Sequence, residues 1–172
     1  MKPRRAKRST SMSKHSSKRN SKPASKPAPK KTSEKTAAGL LERRPRIGLE
    51  ATAERVVAPE HTIQVVNPNL PAVFSTPSMI GLMEHATVLA ISSELPPGAI
   101  SVGTRIEVDH LKAVGPGATV RAWARFVKYE GRFLVFDVEA RSGEHLIGRG
   151  RVFRAIVHPG EHGAKAQARA QQ

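Results

Sequence analysis

The chain contains no cysteine, which excludes a disulfide framework, a thiolate zinc site and a cysteine nucleophile together. No apolar run approaches the ~20 residues that a bilayer-spanning helix needs, so a soluble, cytoplasmic protein without a membrane span is expected. Leu, Ile, Val, Phe, Trp and Tyr are missing from Met1 to Thr36, and residues 1–46 hold only two acids, Glu34 and Glu42. A segment so poor in apolar side chains cannot offset its ordering entropy, so disorder is expected there.

What that segment does contain is charge. Of the 29 Lys and Arg in the 172 residues, 16 lie in residues 1–46, giving this stretch a net charge of +14. Residues 47–172 carry +1, so the overall +15 describes a tail and not the folded part. A transit peptide needs an apolar face and a secretory signal an apolar centre, and the tail has neither. Lys2-Pro-Arg-Arg-Ala-Lys-Arg8 suits nuclear import or nucleic-acid contact, although such basic runs more often serve only as solvated tails. The expected organisation is a basic Lys/Ser/Pro-rich tail over 1–46, one folded domain over 47–158 and a flexible C-terminal tail over 159–172.

Within the folded part, residues 60–66 read as a short strand and Asn67–Pro71 as a loop. Thr76-Pro77 opens an apolar helical stretch, Ser78 to Glu94, closed by Pro96-Pro97-Gly98. Thr76, before the proline, reads as the N-cap. Strand-like segments follow over 99–114, 118–129, 132–142 and 145–157, separated by Gly- and Pro-containing breaks that suggest an antiparallel meander. At 100° per residue, Ile80, Glu84, Val88 and Ile91 share one helix face while Met79, Leu82, Ala86 and Leu89 lie opposite. A helix apolar on both sides is expected to be buried. The fold class is therefore α+β: one long buried helix wrapped by a curled antiparallel sheet of about five strands, the hotdog arrangement.

Two ionisable groups break the apolar pattern. Glu84 is the only acid between Thr76 and Ser93, and a buried carboxylate must be neutral, hydrogen-bonded or paired. On strand alternation, His110 ends the row Ile100, Val102, Thr104, Ile106, Val108, which points toward the helix, while Ser101, Gly103 and Arg105 face away. Arg154 interrupts another apolar strand face, where an arginine can also simply reach water. A helix N-terminus at Thr76 would offer N–H groups to a carbonyl or anion. Eight residues of helix rise about 12 Å, however, so Thr76 and Glu84 of one chain cannot touch, and a site built from two chains would remove the conflict. The chain has no Gly-x-Ser-x-Gly elbow, Walker loop or His-Glu-x-x-His, and His158 and His162 make a poor metal site. No metal or other cofactor is indicated.

Val73-Phe-Ser-Thr-Pro-Ser-Met-Ile-Gly-Leu-Met-Glu84, Ser101-Val-Gly-Thr104, Val108-Asp-His110, Gly117-Ala-Thr-Val-Arg-Ala-Trp-Ala-Arg125 and Gly148-Arg-Gly-Arg-Val-Phe-Arg154 closely resemble the fluoroacetyl-CoA thioesterase-like hotdog proteins. The resemblance spans about residues 50–157. It implies that Thr76, Glu84 and His110 are catalytic, that Gly103 lies beside the acyl group and that Arg154 lines the substrate site. It also implies a homodimer or higher homo-oligomer, with acyl-CoA lying between subunits. The fluoroacetyl-specialised enzyme closes its pocket with phenylalanines upstream of the threonine. Here Asn67–Phe74 has a single Phe, so a small acyl-CoA in general is the expected substrate. Arg105, Lys112, Arg121 and Arg125 stand equally as contacts for the CoA phosphates. The alternative is a non-catalytic hotdog acyl-CoA-binding module whose basic tail tethers it to nucleic acid. A hotdog hydratase fits less well, because the Asp-x4-His pattern of that branch is absent.

Overall fold

The computed structural model describes residues 44–170, so the expected disordered tail lies outside the described residues except for 44–46. Strand β1 (Glu50–Val56) is followed by two 3₁₀ turns, Pro59–His61 and Ile63–Val65, and then by helix α1 (Thr76–Ile91). A further 3₁₀ turn, Ser92–Glu94, leads to β2 (Ile100–His110), β3 (Thr119–Glu130), β4 (Phe133–Ser142), β5 (His145–Val157) and helix α2 (Pro159–Ala170). The strands form one antiparallel sheet in the order β1-β3-β4-β5-β2.

The helix packs against all five strands. Met79, Leu82, Met83, Ala86, Thr87, Ala90 and Ile91 are buried beneath it, a spacing that places them along one face. They meet Val120, Ala124, Phe126, Phe136, Val138, Ile147 and Val152 from the sheet. Phe126 stacks edge-on against Tyr129 and tilts against Phe136, with ring centroids 4.9 and 5.3 Å apart. Each fully buried Leu, Met or Phe here contributes roughly 1.5–3 kcal/mol. The sheet curls over the helix without closing, which is the hotdog arrangement.

Several local expectations are corrected. Residues 60–66 are not a strand. The ring Nδ1 of His61 accepts the Ala58 N–H at 3.0 Å and the Thr62 hydroxyl donates to Pro59 O at 2.7 Å, which winds the segment into 3₁₀ turns. The first strand is Glu50–Val56, whose Ala-, Glu- and Arg-rich sequence has little β-propensity and which forms because it pairs with β3. The helix N-cap is Ser75, whose Oγ accepts from Ser78 N–H at 3.3 Å, and Thr76 is the first helical residue. The helix is not buried all round: in the single chain His85 and Leu89 are exposed while Ile80, Glu84 and Val88 are half-buried. Only β3, β4 and β5 form the expected meander, turning at Gly131 and Gly143 with φ of 61° and 55°. β2 leaves it and pairs with β5 at the far edge. Residues 159–170, expected as a tail, are helical. Among the described residues no helix is long and apolar enough to cross a membrane.

Candidate active site

The chain entering α1 is held from two sides. Thr62 bridges Phe74, and Ser75 N–H donates to His61 O at 2.9 Å. Phe74 N–H donates to Val114 O at 2.7 Å, tying the helix start to the segment that leaves β2 just beyond His110. That tie brings His110 to Thr76: Thr76 Oγ1 lies 2.9 Å from His110 Nδ1. On its other side, His110 Nε2 lies 3.1 Å from the Lys112 carbonyl oxygen. A carbonyl only accepts, so Nε2 carries a proton, and where Nδ1 carries none its lone pair faces the Thr76 hydroxyl. A hydroxyl donating to an unprotonated imidazole is an arrangement that can give up a proton and take it back.

Glu84 forms a second cluster. Its Oε1 lies 3.4 Å from Nη1 of Arg154, so the acid expected among apolar neighbours is in fact ion-paired. Arg154 is only 4% exposed. Its Nε donates to Ser101 Oγ at 3.0 Å, its Nη2 to Ser101 O at 2.8 Å and its Nη1 also to Thr87 Oγ1 at 3.2 Å. Burial lowers the Arg154 pKa from its ordinary value and the Glu84 charge opposes that shift; an arginine stays charged at neutral pH regardless. Gly103 lies against the same carboxylate, so close that a Cβ there would overlap Glu84 Oε1.

Gly103 and His110 thus both face the helix, although strict alternation puts them on opposite faces. The reason is a register shift in the β2–β5 ladder between Gly103 and Arg105. Such a bulge inserts one residue and reverses the parity of everything beyond it. Ser101 likewise turns toward Arg154 instead of away. The structure therefore joins Thr76 to His110 and joins Glu84 to Gly103 and Arg154. It does not join the two clusters, which stand about 12 Å apart along α1. Sequence reasoning missed Ser101, Thr87 and the Lys112 carbonyl. Thr87, one turn beyond Glu84, carried a usable signal; the other two depend on the bulge and the strand end.

The four cations considered for CoA phosphates separate in space. Arg105 pairs with Glu107 and stacks over Phe153, 4.2 Å from the ring centroid, and Arg121 pairs with Glu54 at 2.8 Å. Arg125 lines a cavity of about 520 Å³ with Trp123, Asp137 and Arg149, on the sheet face away from α1. Lys112 lies two residues beyond His110, whose ring its carbonyl holds. Among the described residues no group of His, Asp and Glu is placed to hold a metal ion.

Residues 57–159 match the family model described as fluoroacetyl-CoA-specific thioesterase. The chain is 39% identical over 128 residues to the fluoroacetyl-CoA thioesterase of Streptantibioticus cattleyicolor, a match covering 71% of this chain and 92% of that protein. A solved structure of a fluoroacetyl-CoA thioesterase is similar at 39% identity and a TM-score of 0.67, covering 72% of this chain and 96% of the other. A thioesterase superfamily member from Thermus thermophilus is similar at 32% identity and a TM-score of 0.69, covering 75% and 96%.

Proposed function

This chain belongs to the fluoroacetyl-CoA-specific thioesterase family and is an acyl-CoA thioesterase, and from that premise we propose that it hydrolyses small acyl-CoA thioesters with Thr76, Glu84 and His110. The observation that carries the assignment is the Thr76–His110 pair, with the imidazole lone pair aimed at the hydroxyl. His110 Nδ1 takes the proton from the Thr76 hydroxyl as its oxygen adds to the thioester carbonyl, and loss of CoA leaves the acyl group as an ester on Thr76. The C–S bond then breaks and the proton passes from Nδ1 to the departing CoA thiolate. Glu84 takes a proton from the water that adds to the Thr76 ester; the ester C–O bond then breaks, Thr76 regains a proton and the free acid leaves. Gly103 leaves room for the acyl group beside Glu84, and Arg154 lines the base of that space.

The oxyanion needs a donor. Of the first helix N–H groups, Ser78 and Met79 donate to Ser75 and Pro77 has none. The N–H groups of Thr76 and Gly103 are therefore the donors assigned to it.

The site is proposed to be completed by a second copy of the chain. β2 is an edge strand bearing both Gly103 and His110, and Ile100, Ile106 and Leu111 on or beside it are exposed by 43, 39 and 47%. A long edge strand with exposed apolar side chains favours pairing with another chain. A seam along β2 would bring acyl-CoA between subunits and shorten the gap between the two clusters.

The test is free-thiol release over a panel of short acyl-CoAs, with the Glu84→Gln protein measured beside the wild type. Turnover that this substitution abolishes supports the assignment. Turnover at the wild-type rate in Glu84→Gln removes Glu84 from the reaction.

A further inference from the structure

Arg154 stands on a strand face otherwise built of Gly148, Val152 and Ile156, and presents only 4% of its surface to solvent. A guanidinium in such a place is costly unless its N–H groups find acceptors. Ser101 supplies two acceptors, Thr87 one and Glu84 one. Three of these four are fixed by the fold. The two Ser101 oxygens sit on the bulged strand, and the Thr87 hydroxyl donates its own proton to Glu84 O at 2.6 Å, which turns its lone pair toward Arg154. The fourth, Glu84 Oε1, belongs to a side chain still 32% exposed, whose Oε2 accepts no hydrogen bond from the described residues.

The network thus runs from rigid acceptors, through one buried cation, to a carboxylate with one oxygen anchored and one free. We infer that Thr87 and Ser101 are positioning residues that, by holding Arg154, fix the Glu84 carboxylate over Gly103 with Oε2 directed to the reacting water. This rests on the assignment of Glu84 proposed above. Beyond lining the acyl space, Arg154 then acts on the reaction through Glu84, so loosening the clamp lowers turnover more than substrate affinity.

The experiment measures kcat and KM for the best short acyl-CoA in Thr87→Val, Thr87→Ser, Ser101→Ala and Glu84→Gln proteins, with a thermal melt of each. Thr87→Val keeps the side-chain volume and removes the acceptor. It is expected to lower kcat about tenfold, the scale of one hydrogen bond to a charged group, with KM unchanged within about twofold. Thr87→Ser restores the acceptor and the rate. Ser101→Ala keeps the backbone acceptor and lowers kcat less, and it reads the same clamp should Thr87→Val fail to fold. A raised KM at constant kcat in Thr87→Val would place the network in substrate binding and overturn the inference. So would a loss of kcat that Thr87→Ser does not restore. Turnover abolished in Glu84→Gln but intact in Thr87→Val and Ser101→Ala refutes the clamp and leaves the Glu84 assignment standing. A wild-type chain inert toward every acyl-CoA refutes both.

Discussion

Replacing Gly103 with alanine adds a single methyl group at the point where β2 passes Glu84. Gly103 is not among the glycines with positive φ, so alanine meets no backbone penalty there and its effect is purely steric. The new Cβ would overlap Glu84 Oε1, lying 3.4 Å from Glu84 Cδ and 4.0 Å from Arg154 Nη1. Restoring an ordinary carbon–oxygen contact of about 3.3 Å requires the carboxylate to retreat by roughly 1 Å. The Glu84–Arg154 contact is already 3.4 Å, and the retreat stretches it further. Displacing a reacting group by about 1 Å costs on the order of 10²-fold in rate. The stability cost is smaller. Glu84 is a third exposed, so solvent takes over much of its charge, and about 1 kcal/mol is expected, or a Tm lower by roughly 3–5 °C. Free-thiol release and a thermal melt on the same Gly103→Ala preparation measure both. A folded Gly103→Ala protein with wild-type kcat would refute the placement of Glu84 over Gly103 and every role built on it.

Thr76→Val removes the hydroxyl that faces His110 while keeping the side-chain volume, and His110→Phe removes the proposed base; each should lower kcat by about 10²–10⁴-fold in the thiol assay, with a wild-type rate counting against the pair. Arg46 straps the segment before β1 to Glu94 through its backbone N–H and its guanidinium, with contacts of 2.6 to 2.7 Å. These bonds hold the Glu94 carboxyl below its ordinary pKa. The sign follows from the depressed carboxylate: the strap's stabilisation is complete above the ordinary carboxylate pKa of about 4 and is lost as pH falls through the lower folded value. Glu94→Gln should therefore speed amide exchange in residues 46–49 at pH 7 but make little difference in strong acid; equal exchange at pH 7 would argue against the strap. Deleting residues 1–38 should leave kcat/KM within about twofold, since the proposed active-site residues all lie beyond it, while weakening salt-dependent retention on a polyanion column. A large loss of kcat/KM would bring the tail into the reaction.

The division between what the sequence disclosed and what it hid follows from the range of the physics involved. The α1 helix and strands β3 to β5 were legible because each buries one side of its own periodic pattern, and local turn glycines such as Gly131 and Gly143 mark their ends. β1 was hidden because Glu50-Ala-Thr-Ala-Glu-Arg-Val carries no strand signal of its own and exists through its ladder with β3. Residues 60–66 misled for the complementary reason: Ile63, Val65 and Val66 favour a strand, but the pairing with the segment before α1 stops at Ile63, whose N–H donates to Val73 O at 3.0 Å, and Val65 and Val66 stand 68 and 79% exposed.

The candidate site shows the same limit more sharply. Glu84, His110 and Arg154 stood out as charges in apolar rows, which needs only the local pattern. Their partners did not, because a partner is fixed by register. One extra residue between Gly103 and Arg105 reverses which side of β2 meets the helix, so the alternation that correctly aimed His110 inward from its own end sent Ser101 and Gly103 outward. The inserted residue is what lets one strand turn the His110 ring to Thr76 at one end and a side-chain-free surface to Glu84 at the other. Removing it by deleting Thr104 would restore strict alternation. That shortens the Gly103–His110 spacing from seven positions to six, so both still face the helix without the bulge, and a Thr104-deleted chain that folds should keep turnover. A Thr104-deleted chain that folds but has lost all turnover would mean that the bulge does more than set which residues of β2 face the helix.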